Sequence, residues 1–424
     1  MLLADNGWLR GQDPGQWRGR FLPPSYVPRR TRLEPDQRVV LVVGPRQSGK
    51  STLIWRTLAD RSIPALYLNC EEPSIRDWLR SPAGFLSEVE ALASSARALF
   101  FEEIQRLPDA GLFLKGVVDR RSGLFLFATG SSSFDLEARV RESLAGRARR
   151  HLLLPFSLEE LAPSGCGDNP LVREQGWGDL VRRSAIHGSY PGVVTAVDPD
   201  RELASLVESL ILRDASDRFK IRNVGAFRKL MQLMASQVGN LVNNSEWASL
   251  CSVSNDTVAD YAQILEDSHV IRLLRPYVGG KRAELTSAPK VYFVDNGIRN
   301  QLFGGFAPLE TRPDRGPLLE NLVFSELLKR MDPILDSLRY WRSKAGAEVD
   351  FVLDHRGSTA AIEVKASARR GTLSRSARSF IEAYEPSVFL VVCSDPEEQV
   401  LVGRSRVRHV PIGGLTAELD SFLL

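Results

Sequence analysis

Cysteine and histidine are scarce in this sequence. There are four cysteines and five histidines among 424 residues. Cys70, Cys166, Cys251 and Cys393 lie far apart, and no two of them form a CxxC pair. That spacing argues against a zinc site and a disulfide framework, and reads as free thiols in a reducing compartment. Long apolar runs are missing too; none approaches the ~20 residues that span a bilayer. The opening MLLADNGWLRGQD has no basic flank leading into an apolar core, so it does not read as a secretory signal. The expectation is a cytoplasmic protein with no membrane partner. An excess of one charge is also lacking. Lys and Arg number 55 and Asp and Glu 52, a net +3, which permits nucleic-acid binding without arguing for it.

What is present is the composition of a globular protein, 43% hydrophobic and 25% charged. The length exceeds one ordinary core, so two or three domains are expected. Residues 1–37 read as a basic arm without periodicity. Its Arg18, Arg20, Arg29, Arg30 and Arg32 suit either a phosphate contact or a solvated, extended lead-in. From Arg38 the pattern alternates strand and helix. Continuous apolar runs at Val39–Val43, Ala65–Leu68, Ala98–Phe101 and Leu124–Ala128 suit a parallel sheet covered on both faces, with Arg149–Leu154 as a fifth strand. Residues 156–222 look helical, broken by PSGCGDNP and GSYPG. Three amphipathic helices are expected at Phe227–Leu241, Ser245–Leu250 and Asn255–Ser268, followed by a strand at Val270–Leu274. A last unit over 316–424 opens on a helix near Pro317. Its expected strands are Leu338–Arg342, Val349–Leu353, Ala360–Val364 and Val388–Cys393.

The sharpest local signal is Gly44-Pro45-Arg46-Gln47-Ser48-Gly49-Lys50-Ser51, a full GxxxxGK[ST] match between a buried strand and a helix. Glycines let the backbone wrap phosphates, and successive N–H groups and the helix N-terminus favour the anion. Lys50 is expected on the β- and γ-phosphates and Ser51 on Mg²⁺. With Thr52, these are the candidate ATP-binding residues. Ala98-Leu99-Phe100-Phe101-Glu102-Glu103 is a strand ending in two acids. Glu102 suits a metal held through water and Glu103 a base that orients the attacking water; the bland alternative is a solvated acidic turn. In the additional-strand class of P-loop ATPases, a further strand ending in a polar residue lies between these two. Thr129 or Ser131 suits that place, or either caps a helix at Phe134. Arg147, after Glu142-Ser143-Leu144-Ala145-Gly146, suits a γ-phosphate contact within the chain or across a subunit interface, or a structural salt bridge.

Together "GPRQSGKSTL", "EEIQRLP", "LFATGSSS", "ESLAGRARRHLLLPFSLEEL" and "HGSYPGV" resemble a large bacterial and archaeal family of AAA+-type ATPases. The resemblance continues through "LILRDASD", "PKVYFVDNGIRNQL", "GPLLENLVFSELLKR" and "AEVDFVL…AIEVKAS", and so covers nearly all the chain after Arg38. It implies ATP and Mg²⁺ as cofactors and a homo-oligomer, in some relatives a ring. The family usually has Asp-Glu where this chain has Glu102-Glu103. The longer acid shifts the outer shell of the metal and puts efficient hydrolysis in doubt.

Two further patterns remain. Ser245–Leu250, a turn at Ser252-Val253-Ser254, then Thr257–Tyr261 has the rhythm of a helix-turn-helix, with Gly279-Gly280-Lys281-Arg282 as a wing tip. Its second helix offers Asn255, Asp256, Asp260 and Tyr261, an acidic face better suited to a lid or a subunit contact than to DNA. In AEVDFVLDHRGSTAAIEVKAS, a hairpin turn at Asp354–Gly357 sets Asp350 opposite about Ala361. Alternation then puts Asp350, Glu363 and Lys365 on one sheet face. Two acids and a lysine so placed suit metal-assisted phosphodiester hydrolysis. Asp350 and Glu363, with Glu320, are the candidate Mg²⁺ ligands, and Lys365 would steady the attacking water. The pattern resembles the PD-(D/E)XK restriction-endonuclease fold, whose alternative here is an inactive relic. Arg369, Arg370, Arg375 and Arg378 suit a phosphate rim or a solvated helix face. The fold expected is thus α/β: an arm (1–37), a P-loop AAA+ core (38–156), a helical lid and winged helix (157–303), and a nuclease-like α/β domain (307–424). DNA is the expected partner.

Overall fold

The computed structural model describes residues 5–130, 143–162, 170–210, 221, 223–277, 288–366, 373–394 and 397–423. The chain divides into two units, one of Met1–Phe156 with Asp267–His269, the other of Ser157–Glu266 with Val270–Leu424.

The first unit is a parallel sheet of five strands: β1 (Val39–Val43), β2 (Ala65–Asn69), β3 (Ala98–Glu102), β4 (Phe125–Gly130) and β5 (Ala148–Leu152). Their order is β2-β3-β4-β1-β5, and every neighbouring pair is parallel. β1 is buried along its whole length, as an apolar run covered on both faces must be. β4 lies between β1 and β3, where a strand bearing a third polar residue was expected. The three inner strands β3, β4 and β1 end at one edge, and there the acids of β3 and the loop after β1 come together.

The arm is not an extended lead-in. Asn6 sits against the outer edge of β2, its Oδ1 accepting from the Tyr67 N–H at 2.7 Å and its Nδ2 donating to the Tyr67 carbonyl at 2.8 Å. It completes a strand edge as a neighbouring backbone would. Trp17 and Leu33 are buried with Trp55, Tyr67 and Phe100, and Phe21 stacks on Trp55 at 4.6 Å and 11°. The side chain of Arg18 is outside the described residues.

The second unit merges two expected domains. Helices Val224–Ser236, Asn244–Cys251 and Asn255–Asp267 precede an antiparallel hairpin of β6 (Ile271–Leu274) and β7 (Lys290–Phe293). Each helix starts where a polar side chain takes up a free N–H: Asn223 that of Ala226, Asn243 that of Glu246 and Ser254 that of Thr257. The wing tip, Gly279 to Arg282, lies outside the described residues. A six-stranded sheet follows, built from β8 (Asp336–Arg342), β9 (Glu348–His355), β10 (Ser358–Val364), β11 (Val388–Val392), β12 (Glu397–Val402) and β13 (Ser405–Val410), in the order β12-β13-β11-β10-β9-β8. The two parts share one core: Tyr292 of β7 stacks on Phe324 at 4.6 Å and meets Phe351 of β9 at 5.5 Å. With that seam buried, residues 157–303 and 307–424 are one body rather than two. β12 and β13 went unanticipated, because EEQVLV and SRVRHV are too polar to announce themselves as strands.

Among the described residues no helix is long and apolar enough to cross a membrane. Cys70, Cys251 and Cys393 are buried, and burial pushes the Cys70 thiol up to about 12. Cys166 lies outside the described residues.

Candidate functional site

The phosphate loop is shaped by its glycines. Gly44 takes a φ of +147°, and a Cβ there would lie 2.2 Å from the Leu153 carbonyl oxygen, so no larger residue fits beneath the chain leaving β5. Gln47 and Gly49 are left-handed, at 59° and 91°, and the helix Lys50–Asp60 starts directly after them. Runs of this kind turn backbone N–H groups toward an anion. Ser48 Oγ donates to the Pro45 carbonyl at 3.0 Å and closes the loop from within. Lys50 is buried, its Nζ donating to the carbonyls of Gly44 at 3.2 Å and Pro45 at 2.7 Å. Arg46 and Thr52 are half-buried beside it.

The acids of β3 meet this loop. One Glu102 oxygen accepts from the Ser51 hydroxyl and the other from the Tyr67 hydroxyl. Burial, and then the Glu102 charge, push the Tyr67 phenol far above its ordinary value. Glu103 holds a φ of 52°, a sparsely populated conformation for a residue with a side chain. Its N–H donates to Thr129 Oγ1 at 3.1 Å, and its carboxylate accepts from Gln105. Thr129, fully buried at the end of β4, therefore fixes the backbone of Glu103. Ser131 and Glu142 lie outside the described residues.

Arg147 is elsewhere. It immediately precedes β5, whose first residue pairs with Val39, the first of β1. It thus sits at the edge of the sheet opposite the phosphate loop, where it pairs with Asp119 at 2.6 Å and holds that carboxyl below its usual range. The structural salt bridge is what forms, and a γ-phosphate contact within the chain is ruled out by the length of the strand between.

In the second unit the hairpin closes one residue later than expected, on Arg356 and Gly357, both at positive φ. Ile362 pairs with Phe351, so the next pair along is Glu363 with Asp350, not Ala361 with Asp350. The slip is of two residues, and parity is kept: the two acids still share a face. Asp350 accepts from the Val364 N–H at 2.7 Å. Glu363 is buried, 2.8 Å from Lys365 Nζ and accepting from Ser374 at 3.0 Å. Glu320 accepts from the Tyr292 hydroxyl at 2.5 Å. Between these lies Lys290, 97% buried, 2.5 Å from Glu348 and 3.6 Å from Glu320. Burial raises Asp350 to about 8, with the charge of Glu320 adding to it against the Val364 N–H and Lys290. Burial pulls Lys290 down, yet Glu320 and Glu348 outweigh it and leave it raised. Among the described residues no three His, Cys, Asp or Glu side chains converge as a ready metal-holding group. Glu320, Asp350 and Glu363 are thus not brought together as the Mg²⁺ set that the sequence suggested. Arg375 and Arg378 are exposed on the helix Arg375–Tyr384 nearby in sequence, and Arg369 and Arg370 lie outside the described residues.

Residues 36–162 match a family described as AAA domain. The first unit is built on an AAA-type P-loop core. Residues 178–309 and 315–413 match two families described as domains of unknown function (DUF8612 and DUF4143). The chain is 28% identical over 348 residues to an uncharacterized protein of Mycobacterium tuberculosis (strain ATCC 25618 / H37Rv), covering 80% of this chain and 73% of the relative. It is 26% identical over 330 residues to one of Haemophilus influenzae (strain ATCC 51907 / DSM 11121 / KW20 / Rd), covering 72% and 78%. Among solved structures, the Thermotoga maritima RuvB Holliday junction branch migration motor aligns at 15% identity and a TM-score of 0.29, covering 56% of this chain and 82% of that one. The replication initiator DnaA bound to AMPPCP and single-stranded DNA aligns at 12% and 0.24, covering 54% and 82%. Scores this low carry no argument.

The AAA core has the donors that Mg²⁺ takes: a hydroxyl and a carboxylate, hard oxygens side by side at Ser51 and Glu102. Sequence reasoning missed Tyr67, Asn6, Lys290 and Glu348. Only the pairing of β2 with β3, Tyr67 beside Phe100, shows that a Tyr67 hydroxyl reaches the acid two residues on. Lys290 carried one faint signal, a lysine opening an otherwise apolar strand.

Proposed function

We propose that the chain is a Mg²⁺-dependent ATPase whose nucleotide state controls how its second unit engages nucleic acid. The observation that carries this is the joining of Ser51, Glu102 and the Thr129-held Glu103 at the mouth of a phosphate loop. Lys50, the loop N–H groups and the helix N-terminus would bind the phosphates of ATP. Phosphate oxygens would replace the Gly44 and Pro45 carbonyls as partners of the Lys50 ammonium. Mg²⁺, when bound, supplies charge neutralisation at the β- and γ-phosphates. Ser51 and Glu102 would hold it, and Glu103, its backbone fixed by Thr129, would orient the attacking water. Lys50→Ala should abolish turnover, measured as phosphate release; turnover that survives the change defeats the ATPase reading.

For the second unit, the support is the facing pair of Asp350 and Glu363 with Lys365 on the same edge. Lys365 is 43% exposed and available to a phosphate. The helix-turn-helix lends nothing to DNA binding: Asn255, Asp256, Ala259, Asp260 and Gln263 are its exposed positions on the second helix, without a cation among them. The specific observation favouring a second reading, an inert scaffold with a protein partner, is Lys290, an internal cation already among the acids. DNA binding over a salt series, with and without ATP, separates the two. Phosphate contacts weaken as salt rises, so binding that is absent or salt-independent supports the scaffold. Mg²⁺-dependent cleavage by wild type but not by Asp350→Ala would add nuclease activity.

A further inference from the structure

The Tyr67 hydroxyl is placed where no phosphate-loop motif calls for it. It stands on β2, the edge strand, and donates to the Glu102 oxygen that Ser51 leaves free. The tyrosine itself is immobilised from three directions. Its ring meets Trp55 at 5.4 Å, Phe21 at 5.5 Å and Phe100 at 5.5 Å. Its backbone N–H and carbonyl are both taken by the Asn6 side chain. Two of these contacts, Asn6 and Phe21, come from the N-terminal arm, and Trp55 belongs to the helix that carries Lys50 and Ser51.

Glutamate has one more torsion than aspartate before its carboxylate, so it has more positions to lose when it must hold a metal shell. A carboxylate gripped at one oxygen still swings about that contact. Gripped at both, it does not. We propose that Tyr67 is a positioning residue for Glu102, fixing the longer acid for Mg²⁺, and that the N-terminal arm sets Tyr67 and thereby the metal affinity of the nucleotide site. This rests on the ATPase reading above. It accounts for two features with no other role in that reading: a buried phenol aimed at the acid, and an arm whose asparagine imitates a strand.

The test is the Mg²⁺ dependence of nucleotide binding, followed with a fluorescent ADP analogue and compared with binding in EDTA. Losing a hydrogen bond to a charged group corresponds to roughly a tenfold change, so Tyr67→Phe should raise the Mg²⁺ midpoint by about that factor. Affinity in EDTA, which depends on the loop and Lys50, should stay as in wild type. Asn6→Ala should move the midpoint in the same direction by less. In a Glu102→Asp background the shorter acid cannot span Ser51 and Tyr67, so adding Tyr67→Phe should change nothing further. An unchanged midpoint in Tyr67→Phe overturns the proposal. So does an equal loss in EDTA, which marks a merely structural role, and so does a full effect in the Glu102→Asp background. Wild type that binds no nucleotide in either buffer would instead overturn the ATPase reading itself.

Discussion

At the scale of single residues, two carboxylates behave differently because their surroundings do. Glu102 is met by two hydroxyl donors, whereas Asp350 is half-buried near Glu320 and has one backbone N–H. A carboxyl at about 8 in the folded protein and near 4 in the unfolded chain binds its proton more tightly when folded. Its contribution to stability is therefore complete below pH ~4 and is lost as pH rises toward 8. Asp350→Asn keeps an acceptor for Val364 but cannot ionise. In EDTA it should flatten the fall in melting temperature between those limits and melt higher than wild type at pH 8.5; parallel curves for the two proteins would contradict this. Arg147 shows what a sequence can say when it is read for direction. A residue just before a parallel strand must lie at the starting edge of the sheet, and the phosphate loop lies at the finishing edge. Tyr67 was not legible at all, and Lys290 only as a lysine opening an apolar strand, since their roles depend on which strands become neighbours.

Elements were more legible than residues. β1, β3 and β4 announced themselves as unbroken apolar runs, and the hairpin of β9 and β10 kept its faces despite a register error, because a shift of two preserves parity. The arm was misjudged for lack of periodicity, yet Trp17 is 3% exposed and meets Trp55 edge-on at 5.2 Å. Removing a buried aromatic typically costs ~3 kcal/mol or more. Trp17→Ala should therefore lower the melting temperature of the AAA core markedly, followed by differential scanning calorimetry. A change within error would return the arm to the status of a solvated tail.

For the whole molecule, the shared core of Tyr292, Phe324 and Phe351 turns an expected set of three domains into two units. Calorimetry should then resolve two transitions rather than three. Mg²⁺-ADP at 100 times its Kd should stabilise the AAA-core transition by ~2.7 kcal/mol; a shift confined to the other transition would place the nucleotide in the wrong unit. The sheet order has one more consequence, for synthesis. β1 carries the phosphate loop, and its partners are β4 and β5. On the ribosome, Val39–Val43 emerges early and cannot find a neighbour until Phe125 and then Ala148 have been made. An apolar segment held single for that long is a hazard for a nascent chain. The nucleotide-binding strand of this protein thus has to wait for the last strands of its own sheet.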